Sequence, residues 1–131
     1  MRDALWPSRP GRHAGRIADY FAGRLKEPLE VLLARDGQNR SAGFIELSIR
    51  ACAEGCSTDH VAFIEGWYVE PALRRTGIGL ALVRAAEAWA RKEGCTELAS
   101  NTEIDNVLSV KAHLASGFED AGVVRSFKKN L

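Results

Sequence analysis

The chain has 131 residues and a mass of 14.3 kDa, room for one domain over residues 1–131 with a core that needs no staples. Hydrophobic residues are 46% and charged residues 27%, which excludes disorder, and 18 Lys plus Arg against 17 Asp plus Glu leave a net charge of +1, too little to draw nucleic acid or an anionic membrane. No apolar run reaches the ~20 residues of a bilayer span and no apolar signal core follows Met1, so a cytoplasmic domain is expected.

The first residues read as a helix stub ending at Pro7, followed by a loop rich in Arg, Pro and Gly. From His13 to about Arg24, Ile17, Tyr20, Phe21 and Leu25 recur at three- and four-residue steps, which predicts an amphipathic helix stopped by Pro28. Leu29–Ala34 reads as a strand, Asp36–Asn39 as a tight turn and Ala42–Ile49 as a second strand. Adjacent apolar residues in that strand, Phe44 and Ile45, require cover on both faces. Cys52 to Asp59 is a polar loop. The cysteines, Cys52, Cys56 and Cys95, are odd in number and lack a second ligand pair, so they read as reduced thiols and no metal site is expected.

Val61–Val69 is the most strand-like run of the chain, interrupted by Glu65 and Gly66; a glycine there predicts a bulge. Pro71 ends it. Gly77–Lys92 follows as a helix with a stripe of Ile78, Leu82, Ala85, Ala86 and Trp89, stopped by Gly94. Glu97–Ser100 is a short strand, Ile104–Ala115 a helix closed by Gly117, and Phe118–Lys129 two last short strands around Gly122. The pattern predicts an α/β fold: an antiparallel meander, then parallel strand–helix units, in one mixed sheet with helices on its faces.

The chemistry concentrates where the long strand leaves for the long helix, in Val69-Glu70-Pro71-Ala72-Leu73-Arg74-Arg75-Thr76-Gly77-Ile78-Gly79-Leu80. Two glycines, two arginines and a helix N-terminus with unpaired N–H groups make a cradle for a diphosphate. Leu82 stands where the dinucleotide fingerprint needs a third glycine, and Leu80 where a P-loop has its lysine, so neither of those motifs is present.

The stretch resembles the acetyl-CoA motif of the GNAT family of N-acetyltransferases, Arg/Gln-x-x-Gly-x-Gly/Ala, met by Arg74, Gly77 and Gly79 after Val69-x-Pro71. A second block, Asn106, Ser109, His113, Gly117 and Phe118, is similar to the family's Asn-x-x-Ala-x-x-x-Tyr-x-x-x-Gly-Phe helix. Leu5-Trp6-Pro7, Gly43-Phe44, Ser48-Ile49-Arg50, Phe63 to Val69 and Glu97-Leu98-Ala99-Ser100 extend the resemblance to the aminoglycoside 6′-N-acetyltransferases, over nearly the whole chain.

That resemblance implies the GNAT fold, beginning where the family's first helix is ending and so without its first strand, and acetyl-CoA as cofactor. It places the pantetheine arm on Trp67, Tyr68 and Val69, and the diphosphate on Arg74, Arg75, Thr76, Gly77, Ile78, Gly79 and Leu80, with Asn106 and Ser109 on the arm. Glu65, a carboxylate costly in an apolar strand unless paired or facing a cleft, is the expected general base through water. His113 is the expected proton donor to the thiolate. The acceptor is a small-molecule amine of the aminoglycoside type, met by Trp6, Glu46, Glu65 and Glu103, with Asp59 and Trp67 further candidates. Asn101 stands where the subgroup has an aspartate facing the acceptor. Two further readings remain: a GNAT enzyme acting on another small amine, polyamine or protein amine, and a catalytically silent acetyl-CoA-binding protein. A bare sheet edge favours a homodimer.

Overall fold

The computed structural model describes residues 1–131. Its sheet has the order β1-β2-β3-β4, formed by β1 (Glu30–Arg35), β2 (Ser41–Arg50), β3 (Val61–Val69) and β4 (Leu98–Ser100). β1, β2 and β3 are an antiparallel meander, and β4 pairs parallel to β3 after a helical crossover, α3 (Ile78–Lys92). Two short helices, α1 (Arg2–Leu5) and α2 (Arg12–Phe21), precede the sheet, and α4 (Val107–Ala115) follows it. No helix is long and apolar enough to cross a membrane.

Side-chain alternation along β2 sets the two layers. Ile45 and Leu47 point to one face and join Ile64, Leu82 and Ala86 in the main core under α3, against which Trp67, Val69 and Phe118 also pack. Phe44, Glu46 and Ser48 point to the opposite face, where α1 and α2 lie. Both faces are covered, as the adjacent Phe44 and Ile45 required; they are 4% and 0% exposed. On α3 the buried residues are Leu82, Val83, Ala86 and Ala90. Ala85, expected on that stripe, is exposed.

Three expectations need correction. α2 stops at Phe21, with Leu25 beyond it, because Gly23 takes a left-handed conformation (φ 75°) long before Pro28 is reached. α4 starts at Val107, not Ile104, because the Asn106 side chain accepts the Ser109 N–H at 3.1 Å and caps the helix. No strand forms after Gly117; the two strand–helix units, β3–α3 and β4–α4, are present, but the short strands expected at the end are not. Val123, Val124 and Phe127 are 73%, 62% and 88% exposed. A two-stranded hairpin around Gly122 with nothing to cover its apolar side chains is marginally stable at best.

Candidate active site

The predicted bulge is present. Glu46 pairs with Gly66 and Leu47 with Ile64, which leaves Glu65 as the extra residue of β3. Gly66 serves a close approach: a Cβ there would stand 2.1 Å from Cη2 of Trp6, so α1 lies directly on the strand. On its other edge, β3 pairs with β4 only at Ala62, Phe63 and Ile64, the last opposite Ser100. From Glu65 to Val69 that edge has no neighbouring strand, a gap of about 16 Å at ~3.3 Å per residue. Such an edge can accept an extended chain in place of a strand.

The far end of this edge runs into the N-terminus of α3. The first backbone bond of the helix goes from Ala81 N–H to the Gly77 carbonyl, 2.9 Å, and no side chain caps it. The amides of Ile78, Gly79 and Leu80 therefore point out of the helix with its positive end behind them. Gly77 supplies a left-handed turn (φ 91°), and Arg75 is also left-handed at φ 64°. Arg74 is not freely solvated: its Nε donates to the Val69 carbonyl at 2.9 Å, and its guanidinium lies 5.6 Å from the Tyr68 ring. Thr76 bonds back to the Leu73 carbonyl and tightens the turn. Gly79 has a different purpose from the one its motif suggests. A Cβ there would meet Trp67 Cζ2 at 3.2 Å, so this glycine lets the helix start settle on β3. Trp67 in turn holds a buried indole N–H with no partner. Open amides, two arginines and an unpartnered strand edge fit an extended arm that ends in a diphosphate.

On the α1 face a cleft of about 700 Å³ opens over the bulge. Glu65 is at its floor, and its Oε1 accepts from Ser48 Oγ at 2.5 Å and from Arg50 Nε at 3.1 Å. Oε2 is held only by Arg50 Nη2, at 2.8 Å, and keeps a lone pair open. Arg50 is itself stacked 3.5 Å over the Phe63 ring. Glu46, also in the cleft, is already neutralised: Arg2 binds it through Nε at 2.5 Å and Nη2 at 3.0 Å. A third Arg2 donor, Nη1, reaches His13 Nδ1 at 2.8 Å, and His13 Nε2 donates to the Trp6 carbonyl at 2.6 Å. Trp6 lines the cleft between Arg2, 4.8 Å from its ring, and Phe44.

On the α3 face, His113 of α4 lies edge-on to Trp67 and to Phe118, both with centroids 5.2 Å away. Its Nδ1–H donates to the Ser109 carbonyl at 2.7 Å, since a carbonyl only accepts. Its Nε2 is 2.9 Å from Ser100 Oγ. Both ring nitrogens are thus engaged. Glu65 and His113 stand on opposite faces of the same strand, on either side of the gap.

The structure brings together Trp6, Glu46 and Glu65 in one cleft, and Trp67, Ser109 and His113 on the reverse face. Trp67 does not line the cleft, and its ring packs in the core layer instead. Asn101, Glu103 and Asp59 are exposed on loops outside the cleft. Asn106 spends its side-chain oxygen on the helix cap, leaving only its amide hydrogens for another partner. Sequence reasoning missed Arg2, His13, Ser48, Arg50 and Ser100. For Ser48 and Arg50 the signal was available: they share a strand face two residues apart, across from Glu65. Burial pushes the Cys56 and Cys95 thiols up, and none of the three cysteines lines the cleft.

Comparison with known proteins agrees with this geometry. Residues 1–118 match the family described as acetyltransferase (GNAT). An aminoglycoside N(6′)-acetyltransferase type 1 of Klebsiella aerogenes is 49% identical over 132 residues, covering all of this chain and 87% of that protein. The crystal structure of aminoglycoside antibiotic 6′-N-acetyltransferase AAC(6′)-Ih from Acinetobacter baumannii is 36% identical, with a TM-score of 0.87 over all of this chain and 88% of that one. AAC(6′)-Iy, solved in complex with the bisubstrate analog CoA-S-monomethyl-acetylneamine, is 31% identical with a TM-score of 0.85, over all of this chain and 88% of that one. With a bulged strand, a one-sided gap beside it and an uncapped helix at its end, and with relatives along its full length, the chain belongs to the acetyltransferase (GNAT) family.

Proposed function

We propose that this chain, folded as one domain over residues 1–131, transfers the acetyl group of acetyl-CoA to the 6′-amino group of an aminoglycoside. The observation that carries the reading is the gap between β3 and β4, with a carboxylate on one face, an imidazole on the other and open helix amides at its end. Bound there, acetyl-CoA supplies a thioester carbon activated for attack. The amides of Ile78, Gly79 and Leu80, with Arg74 and Arg75, hold the diphosphate, and the free edge of Trp67–Val69 takes the arm as a strand. Asn106, through its amide hydrogens, and Ser109 steady it from the first turn of α4. Backbone N–H groups freed at the Glu65–Gly66 bulge stabilise the developing oxyanion, an interaction worth roughly 3–4 kcal/mol where such a donor has been removed from other enzymes.

The amine enters through the cleft over the bulge. Glu65, through water at Oε2, takes the proton that the amine must lose. Trp6 supplies a flat face for a sugar ring, and Asn101 and Glu103 extend the acceptor side from the loop after β4. His113 is the proton source for the leaving thiolate. The exposed apolar side chains of α4 and of the segment after it, Val107, Leu108, Leu114 and Phe127, pair with a second copy in a homodimer in the cytoplasm.

A second reading keeps the transfer and changes the acceptor. Arg2 and Arg50 already neutralise Glu46 and Glu65, and Arg12 and Arg16 outnumber Glu27 on the cleft wall. That balance suits an amine with a single positive charge better than a polycation. Thiol release from acetyl-CoA against kanamycin-type aminoglycosides, polyamines, peptides and amino acids decides between them. Turnover confined to aminoglycosides supports the first reading, turnover confined to singly charged amines supports the second, and none with any amine removes both. Sedimentation velocity tests the dimer.

A further inference from the structure

His113 has no nitrogen free to meet a sulfur atom. Nδ1–H is held by the Ser109 carbonyl at 2.7 Å, and Nε2 faces Ser100 Oγ at 2.9 Å. The aromatic rings of Trp67 and Phe118 close its two other sides. No charged side chain from β3, β4 or α4 bonds the imidazole. Nδ1 faces only Ser109, through its carbonyl and, at 3.3 Å, its hydroxyl, so the polar outlet from Nε2 is the hydroxyl of Ser100. Ser100 is opposite Ile64 at the last rung of the β3–β4 ladder, so it stands at the apex of the gap, where the two strands part.

We propose that Ser100 hands the proton to the departing sulfur and is resupplied from His113 Nε2. The inference rests on the acetyl-transfer reading above. A hydroxyl has one donor and two acceptor positions, so the Ser100–His113 bond can run in either direction. With a neutral ring, Ser100 donates to Nε2. With a charged ring, Nε2–H donates to Oγ, and the serine proton turns towards the gap. As the carbon–sulfur bond breaks, its electron pair moves onto sulfur, and sulfur takes the Ser100 hydroxyl proton. Oγ takes the proton of Nε2 in the same movement, leaving the ring neutral with Nδ1–H still on Ser109. The amine's proton leaves on the other face through Glu65, and water recharges the ring. Ser100 is then a catalytic residue and His113 acts through it.

The test compares Ser100→Ala and Ser100→Thr with the unaltered chain. Removing the hydroxyl is expected to lower kcat about a hundredfold with KM for acetyl-CoA unchanged. The threonine, which keeps a hydroxyl on a strand position, is expected to recover at least tenfold of that loss. A second readout needs no acceptor: the His113 titration followed by imidazole NMR, with and without CoA. CoA is expected to move the midpoint upward in the unaltered chain and in Ser100→Thr, and to leave it in place in Ser100→Ala. An equal kcat in Ser100→Ala, equal losses in both variants, or a CoA-induced shift that persists without the hydroxyl would overturn the relay. If no aminoglycoside is turned over, the acceptor assignment falls, while the NMR result still decides the role of Ser100. Should Ser100→Ala not fold, His113→Gln, which can bond Ser100 but cannot carry the proton, is expected to show the same loss of kcat.

Discussion

Gly66→Ala is the sharpest test of how α1 closes the acceptor cleft. The new methyl carbon would stand 2.1 Å from Cη2 and 2.6 Å from Cζ2 of Trp6, and 3.2 Å from Leu5 Cδ2. The indole must retreat by more than an ångström, yet Arg2 and Phe44 hold its ring in place. The relaxation open to the chain is to lift α1, which strips Arg2 from Glu46. Overpacking of this kind costs about 1–3 kcal/mol, and a buried charge that loses its partner about 3–5 kcal/mol if it stays buried. Glu46 is 7% exposed by side chain, but α1 is four residues long and its departure lets water in. The net destabilisation is therefore expected near 2–4 kcal/mol, enough to lower Tm by roughly 8–15 °C in a domain of this size. Denaturant melts read the destabilisation, and calorimetry reads the Kd for CoA, which should change less than threefold because the arm lies along the opposite edge of β3. Acceptor KM should rise at least tenfold. In a Trp6→Ala background the same glycine change should be nearly neutral. Full loss of stability in that background would refute the steric account.

Four other outcomes follow from the same geometry. Glu65→Gln should lower kcat by about a hundredfold or more while leaving the Kd for CoA unchanged; an unaltered pH–rate profile removes Glu65 as the base. Gly77→Val places a branched residue at φ 91°, costs about 1–2 kcal/mol in strain, and should weaken CoA binding about tenfold by calorimetry. Asn106→Ala removes the cap on Ser109 N–H and should cost about 1 kcal/mol, read as a shifted denaturant midpoint. The Thr58 hydroxyl, with the amides of Thr58 and Ser57, holds the Glu97 carboxyl below its usual range. A lowered carboxyl lends stability that is complete above its unfolded value and is lost as pH falls through the folded one. Glu97→Gln should therefore melt earlier than the unaltered chain at neutral pH, with the gap closing on acidification.

What the sequence made legible was whatever rests on local rules. Val61–Val69 was recovered residue for residue, and the bulge at Glu65–Gly66 followed from a charged residue and a glycine in an apolar run. Gly77 marked the start of α3 by its conformation, which only a few residue types adopt without strain. What stayed hidden depends on partners far along the chain. Arg2 and Glu46 are 44 residues apart, and Ser48 and Glu65 are 17 apart. No local pattern says that these charges cancel. The tail shows the reverse failure. Phe118–Lys129 has strand-like composition, but a strand exists only where a neighbour supplies its hydrogen bonds, and within this chain none does.

The placement of the candidate base and acid on opposite faces has a chemical reason. A carboxylate and a charged imidazole in one cleft attract each other and form a stable ion pair, which would cancel both roles. Here one strand separates them. Glu65 faces α1 in step with Val61 and Phe63, and the bulge after it shifts the phase so that Gly66 also faces α1 and Trp67 faces α3. The Glu65 charge is satisfied by Ser48 and Arg50 of β2 instead of by the imidazole. His113 is held away by a carbonyl, two hydroxyls and two aromatic rings, none of them charged. A thioester lying in the gap meets the amine from one side and releases its sulfur towards the other, so the two proton transfers need not compete for the same space. With Glu65 kept and the bulge ironed out, regular alternation would move Gly66 and Trp67 to the wrong faces together. The bulge is thus the one local irregularity on which both halves of the proposed chemistry depend.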